Sequence, residues 1–161
     1  MLHISLSQDV SLGPRQKGRT MAQERLDALN DLYSFYGQEA LRCENASAWL
    51  AGCAMRGAQL EAKLRVLCEM SGVSGRSWTL GPLSEVAVEE GWLPAKIEID
   101  GDQVPVSELT KFVMEMRNLL HAGNVLAEDM ARWVDETTFR VQSKFLAKLV
   151  IQLDGAEKVL S

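Results

Sequence analysis

Apolar residues recur at steps of three and four along most of this sequence, which is the spacing that places side chains on one face of an α-helix. The clearest run follows Asn45, which we expect to cap a helix, and stops at Ser71 and Gly72. Its apolar positions are Trp49, Leu50, Cys53, Leu60, Leu64, Leu67 and Cys68. Small residues at Gly52 and Gly57 predict that a neighbouring helix approaches this one closely.

The same spacing predicts three further long helices and one short helix. The first long helix runs from Met21 to about Glu44, and a short helix begins near Pro82 and stops at Gly91. Two more long helices follow, one capped by Ser107 and ending near Gly123, and one from about Glu128 to Asp154 with Gly155 as its stop.

A different pattern lies between the short helix and the helix that Ser107 is expected to cap. Apolar residues alternate at Ile97 and Ile99, and again at Val104 and Val106, around an Asp-Gly-Asp turn. This alternation predicts a β-hairpin near residues 96–106, in which Pro105 restricts the second strand to a sheet edge. The predicted fold class is therefore mainly α: a bundle of about four principal helices, a short helix and a small hairpin.

The length of 161 residues suits one domain, and we expect residues 21–161 to form it. Residues 1–20 contain Gly13, Pro14 and Gly18 among basic side chains, which indicates a flexible N-terminal arm. No apolar run is long enough for a signal peptide or a membrane span, so we expect a cytoplasmic protein without a membrane partner.

Charge and cysteine content narrow the classes of function. The formal net charge of −5 disfavours bulk binding of nucleic acid and leaves room only for a local basic site. Cys43, Cys53 and Cys68 are odd in number and form no C-x-x-C pair, which argues against a disulfide framework or a structural zinc site. We expect no metal and no cofactor, and Cys53 and Cys68 are interpreted as core residues.

The sharpest candidate site is the pair Arg117 and His121, four residues apart near the end of a predicted helix. This spacing puts a permanent cation beside a titratable imidazole on one helix face, just beyond the edge of the apolar stripe. Imidazole can move the proton of a ribose 2′-hydroxyl while guanidinium holds the phosphate, which is the chemistry of metal-free RNA cleavage. The alternative is structural, with Arg117 paired to a carboxylate such as Glu61. Asn118 is a third candidate, although helical geometry turns it to the opposite side.

The sequence around Arg117, Asn118 and His121 resembles the HEPN proteins, helical bundles that carry an Arg, a following polar residue and a nearby His. The resemblance spans roughly residues 22–153, and the three residues between Arg117 and His121 match a short-spaced variant among uncharacterised bacterial relatives. It implies a homodimer in which the signature residues of two copies form one composite ribonuclease site. Many members of the family are toxins of toxin–antitoxin systems or phage-defence effectors.

Two hypotheses follow. The first is a HEPN-like protein of the bacterial or phage conflict type that binds RNA or nucleotide phosphate and cleaves RNA without metal through Arg117, His121 and, third in rank, Asn118. The alternative is a non-enzymatic dimeric module that binds a protein partner, in which Arg117 forms a structural ion pair.

Overall fold

A computed structural model of the chain describes residues 20–73, 79–99, 101–119 and 136–160, with the side chains of residues 116–119 and 136 left aside. Within these ranges the fold is mainly α with one small antiparallel hairpin, as the sequence predicts. The elements in chain order are α1 Met21–Asn45, α2 Trp49–Ser71, α3 Leu80–Glu89, β1 Lys96–Ile99, β2 Asp102–Pro105, α4 Val106–Leu119 and α5 Glu136–Leu160. None of the helices in the described ranges combines the length and apolar character needed to cross a bilayer.

Helix α2 is the centre of the bundle and packs against α1, α3, α4 and α5. Most of its apolar side chains between Cys53 and Cys68 are buried, and Leu60, Leu64 and Leu67 are fully inaccessible to solvent. A helix surrounded on most sides must bury its few charged residues too, and these need partners because an unpaired buried charge is costly. The chain leaves α2 through Gly72, whose φ of 69° is the left-handed conformation that commonly ends helices.

Helices α1 and α5 flank α2 in opposite directions. Helix α1 returns to α2 through the short turn at residues 46–48 and lies antiparallel to it, with Gly37 and Ala40 buried in the contact. Helix α5 runs in the same direction as α2, because Ser143 lies level with Arg56, through their shared partner Glu44, while Asp154 lies level with Lys63.

The hairpin connects α3 to α4 and lies beside the middle of α5. Its strands pair from Lys96 with Pro105 to Ile99 with Asp102, which confirms the predicted hairpin. Residues of both strands line a cavity of about 300 Å³ together with Lys148 and Leu149 of α5.

Helix α4 runs antiparallel to α5 and to α2. It begins directly after β2, near the middle of α5, and further along it Phe112 reaches Phe139, in the first turn of α5, with ring centroids 6.1 Å apart. It also crosses α2 at Gly57, where a Cβ atom would overlap Cγ1 of Val113. The close approach predicted from the small residues of α2 is confirmed at this point.

Several predicted helix ends are wrong. Asn45 belongs to the last turn of α1, while Ala48 occupies the N-cap of α2 and makes no side-chain capping bond. Helix α4 begins at Val106, so Ser107 lies inside it. Gly155 does not end α5, which continues to Leu160.

Thr20, the last residue of the predicted arm, caps α1: its hydroxyl accepts a hydrogen bond from the backbone N–H of Gln23. The rest of the predicted arm, residues 1–19, lies outside the described residues. The predicted beginning of the last helix at Glu128 also lies outside them.

Candidate functional site

The structure describes part of the sequence-predicted site. Arg117 and Asn118 belong to the last described turn of α4, and His121 lies outside the described residues. The structure therefore places two of the three candidate positions on a helix, and the geometry of the Arg117 and His121 pair stays a prediction.

Position 117 lies on the side of α4 that faces the bundle. It follows Thr110 by seven residues and Val113 by four, and both of those residues are buried. Thr110 widens the buried stripe beyond the apolar residues, so position 117 falls within the stripe instead of just outside its edge. Position 118 falls on the side of Lys111, which is exposed. The backbone thus separates Asn118 from Arg117, as helical geometry predicts.

The course of α4 also bears on the alternative pairing of Arg117 with Glu61. From the contact between Gly57 and Val113, Glu61 lies one turn towards the C-terminus of α2, whereas position 117 lies one turn towards the N-terminus of α2. The two positions are therefore separated by about 12 Å along the helix axes. Oε1 of Glu61 already lies 2.6 Å from a guanidinium nitrogen of Arg65. This arrangement disfavours the structural pairing.

Two polar clusters that the sequence did not predict connect α1, α2 and α5. The first, the Lys63 cluster, consists of Lys63, Tyr33, Asp154 and Glu157. The side chain of Lys63 is 3% exposed, and its ammonium group lies 2.6 Å from Oδ1 of Asp154 and also binds Glu157. The same ammonium lies 4.5 Å from the centre of the Tyr33 ring, which adds a cation–π contact.

Tyr33 links α1 to α5 within the Lys63 cluster. Its hydroxyl donates to the carboxylate of Asp154, with both oxygens at 3.0 Å. Burial, this hydrogen bond and the negative charges of Asp154 and Glu157 raise the pKa of Tyr33 to about 12. Tyr33 is consequently a neutral donor at physiological pH and is poorly suited to act as a base.

The second cluster, the Arg56 cluster, consists of Arg56, Glu44, Gln59 and Ser143. The guanidinium of Arg56 donates to both carboxylate oxygens of Glu44, at 2.9 and 2.8 Å, and to Oε1 of Gln59 at 2.9 Å. Ser143 of α5 donates its hydroxyl proton to Glu44 at 2.6 Å. Burial alone would raise the pKa of Glu44, but the hydrogen bonds from Arg56 and Ser143 and the charge of Arg56 lower it.

Both clusters are satisfied networks that hold three helices in register. Each cation is paired with at least one carboxylate, so neither offers a free positive charge to a phosphate. The one signal in the sequence that could have indicated them is the presence of Arg56 and Lys63 in a helix that is otherwise apolar on most sides.

The remaining candidate groups are the buried cysteines and possible metal ligands. Burial, with a contribution from the charge of Glu44, raises the pKa of the Cys53 thiol to about 12, and burial likewise raises the pKa of Cys68. Both therefore remain thiols at neutral pH, which supports their interpretation as core residues. Within the described ranges, no group of three or more histidines, cysteines or carboxylates is arranged to hold a metal ion.

Comparison of the chain with known protein families, with curated proteins and with solved structures gives no match.

Proposed function

We propose that this chain is a HEPN-like protein of the bacterial or phage conflict type that binds RNA or nucleotide phosphate through Arg117 and His121 and cleaves RNA without metal. The observation that carries the proposal is the course of α4, which brings position 117 to the bundle-facing side of the helix, away from Glu61. The course of the helix axes therefore disfavours the pairing with Glu61 that motivated the alternative.

The mainly helical bundle supports the proposal at the level of fold, since the sequence resemblance implies such a bundle. The resemblance implies that two copies bring their signature residues together around a twofold axis. Two copies of Arg117 and His121 then create a local positive potential that the net charge of −5 does not cancel at short range.

The proposed reaction is attack of a ribose 2′-oxygen on the adjacent phosphorus. The imidazole of His121 takes the 2′-hydroxyl proton, and the guanidinium of Arg117 stabilises the charge that builds on the phosphoryl oxygens. The 5′-oxygen leaves with the proton that the His121 imidazolium gives back, so the imidazole is regenerated. The products are a 2′,3′-cyclic phosphate and a 5′-hydroxyl end. Asn118, about 100° from Arg117 around the helix, contributes least.

The test is cleavage of a pool of structured and single-stranded RNA in EDTA. Wild type is compared with His121→Ala and Arg117→Ala, and Lys111→Ala is the matched control because Lys111 is an exposed cation of the same helix. We expect both site variants to lose cleavage by at least about a hundredfold, as is typical of removing a general base or a charge-stabilising donor. The control should retain it.

Binding is measured separately, by fluorescence anisotropy with a labelled single-stranded RNA at low salt. Loss of affinity in Arg117→Ala with retained affinity in Lys111→Ala supports the phosphate site even where cleavage is slow. A folded wild-type protein that neither binds nor cleaves RNA overturns the proposal and favours the non-enzymatic interaction module.

A further inference from the structure

Helix α5 separates its charged side chains by sign. From residue 137 to residue 160, every exposed charged side chain of this helix is a cation. We call this set the α5 basic face; it consists of Arg140, Lys144, Lys148 and Lys158. The two carboxylates of the same stretch, Asp154 and Glu157, bind Lys63 of α2 instead. At 100° per residue, the cations of the α5 basic face lie within an arc of about 80° and extend over about 27 Å of helix. They therefore form one narrow row.

The cations of this row differ from other exposed cations in their partners. Arg42 on α1 and Lys111 on α4 are each paired with a carboxylate. In the described part of the chain, no such pair involves Arg140, Lys144 or Lys148. An anion can therefore bind these three side chains without first breaking an ion pair within the protein.

The β-hairpin adds polar groups beside Lys148. A cavity of about 300 Å³ opens between the hairpin and α5, and Lys96, Gln103 and Gln152 line it together with that lysine. Their ammonium and amide groups are donors that suit phosphate oxygens. Glu98 is the one carboxylate among the described lining residues, so the two lysines outweigh it in charge.

The α5 basic face begins at the end of the bundle to which α4 leads. Arg140 follows Phe139, whose ring centroid lies 6.1 Å from that of Phe112 on α4. From Phe112, α4 continues towards position 117 while α5 runs in the opposite direction. Arg140 and position 117 therefore lie at the same end of the bundle, and a polymer bound along the α5 basic face leads to this end.

One narrow row of cations suits one phosphate backbone. From Arg140 to Lys148 the cations follow at steps of four residues, about 6 Å along the helix, so they match a polymer with regularly spaced charges. Both aromatic residues of α5, Phe139 and Phe145, are buried, so this helix offers no ring on which bases could stack. Binding should therefore depend on phosphates and not on base sequence.

We infer that the α5 basic face binds the phosphate backbone of a single-stranded RNA whose scissile bond lies at Arg117 and His121. The inference rests on the proposed function for the identity of the polyanion, and it adds where the strand lies beyond the cleaved bond. It also explains how a chain of net charge −5 binds a polyanion, because the unpaired cations are held together on one helix face.

The first measurement is fluorescence anisotropy with a labelled oligouridine of about 12 nucleotides, a usual size for a single-strand site. The double variant Lys144→Gln with Lys148→Gln is compared with Arg42→Gln with Lys111→Gln, which removes the same charge from exposed positions outside the face. At low salt the first double variant should weaken binding by about tenfold or more, and the dependence of log Kd on log salt should become shallower by about 1.4. The control should change neither by a comparable amount.

Two further comparisons make the result specific. Lys144→Arg with Lys148→Arg keeps both charges and should keep the affinity and the salt dependence. Because both lysines are exposed, all variants should keep the wild-type circular dichroism spectrum. A glutamine double variant that binds as tightly as the control overturns the inference. Poly-glutamate that displaces the labelled RNA as well as unlabelled oligouridine does overturns RNA as the ligand and favours an acidic protein partner.

Cleavage separates this inference from the proposed function. In EDTA, the glutamine double variant should lose more kcat/KM on the oligouridine than on a uridine dinucleotide, because the dinucleotide is too short to reach along the face. If cleavage requires His121 but the glutamine double variant binds long RNA normally, the proposed function stands and the α5 basic face falls. If that variant loses RNA binding but wild type does not cleave, the α5 basic face stands and catalysis by Arg117 and His121 is overturned.

Discussion

The two polar clusters on α2 bury their cations to a similar degree but distribute the partners differently. Arg56 is 11% exposed and relies on one carboxylate, Glu44, which is 17% exposed. Lys63 is 3% exposed and is shared between two carboxylates, Asp154 and Glu157, which are 39% and 29% exposed. The Arg56 cluster therefore depends on one carboxylate that is largely shielded from solvent. The Lys63 cluster has two carboxylates, both more exposed, and either can neutralise Lys63.

The exposure of a buried cation therefore does not by itself decide how much its ion pair contributes to stability. What decides it is whether removal of one partner leaves an uncompensated charge away from water. Loss of Glu44 would leave Arg56 with only the neutral Gln59 amide among its described partners. Loss of Glu157 would leave Lys63 with Asp154 and the Tyr33 ring.

The clusters also lie at different distances from the candidate site. The Arg56 cluster is in the N-terminal half of α2, the end towards which α4 carries position 117. The Lys63 cluster is in the C-terminal half. The Arg56 cluster, which has only one carboxylate, thus stabilises the half of the bundle in which the proposed RNA site lies.

The largest effect is expected from Glu44→Ala. It leaves the guanidinium of Arg56 buried without a carboxylate and also removes the acceptor of Ser143, so unfolding free energy should fall by about 3 kcal/mol. Urea unfolding followed by circular dichroism measures this change. Glu39→Ala is the control, since Glu39 is a carboxylate of the same helix whose partner Arg42 is 73% exposed; it should cost less than about 1 kcal/mol.

A smaller effect is expected from Glu157→Ala, because Asp154 continues to neutralise Lys63. The loss should be about 1 kcal/mol or less by the same urea measurement. The double variant Asp154→Ala with Glu157→Ala removes the redundancy and should cost more than the two single losses together. Additive losses, or a Glu157→Ala variant as unstable as Glu44→Ala, would contradict the contrast between the clusters.

The sequence predicted the helices but not all of their ends, and Gly155 shows why. A glycine after a periodic run indicates a stop, yet Asp154 and Glu157 on either side of Gly155 both bind Lys63. These tertiary ion pairs hold the last turns of α5 against α2 and outweigh the low helix propensity of one glycine, about 1 kcal/mol. Local patterns contain no information about such contacts.

The candidate site was predictable in part. The helical position of Arg117 follows from the apolar stripe, because Leu109 and Val113 are buried as the spacing indicates. The burial of Thr110 was not predicted, since a polar side chain does not belong to an apolar pattern. The polar clusters could not be predicted for a different reason. Tyr33 and Asp154 are 121 positions apart in the chain, so no local spacing relates them.

The smallest effects on stability are expected from changes in pH. The Arg56 cluster should respond at acid pH and the Lys63 cluster at alkaline pH. The pKa of Glu44 is lowered in the folded state, so its contribution to stability is present above the unfolded pKa of about 4.3 and is lost as pH falls through the folded value. The pKa of Tyr33 is raised to about 12, so its contribution is complete below about 10, the unfolded pKa, and is lost as pH rises from there towards 12. Melting temperatures across both ranges measure the two losses. Glu44→Gln should flatten the acid limb and leave the alkaline limb unchanged, and Tyr33→Phe should do the reverse. If either variant flattened both limbs, the two clusters would be one coupled network, and the contrast in redundancy would not separate the halves of α2.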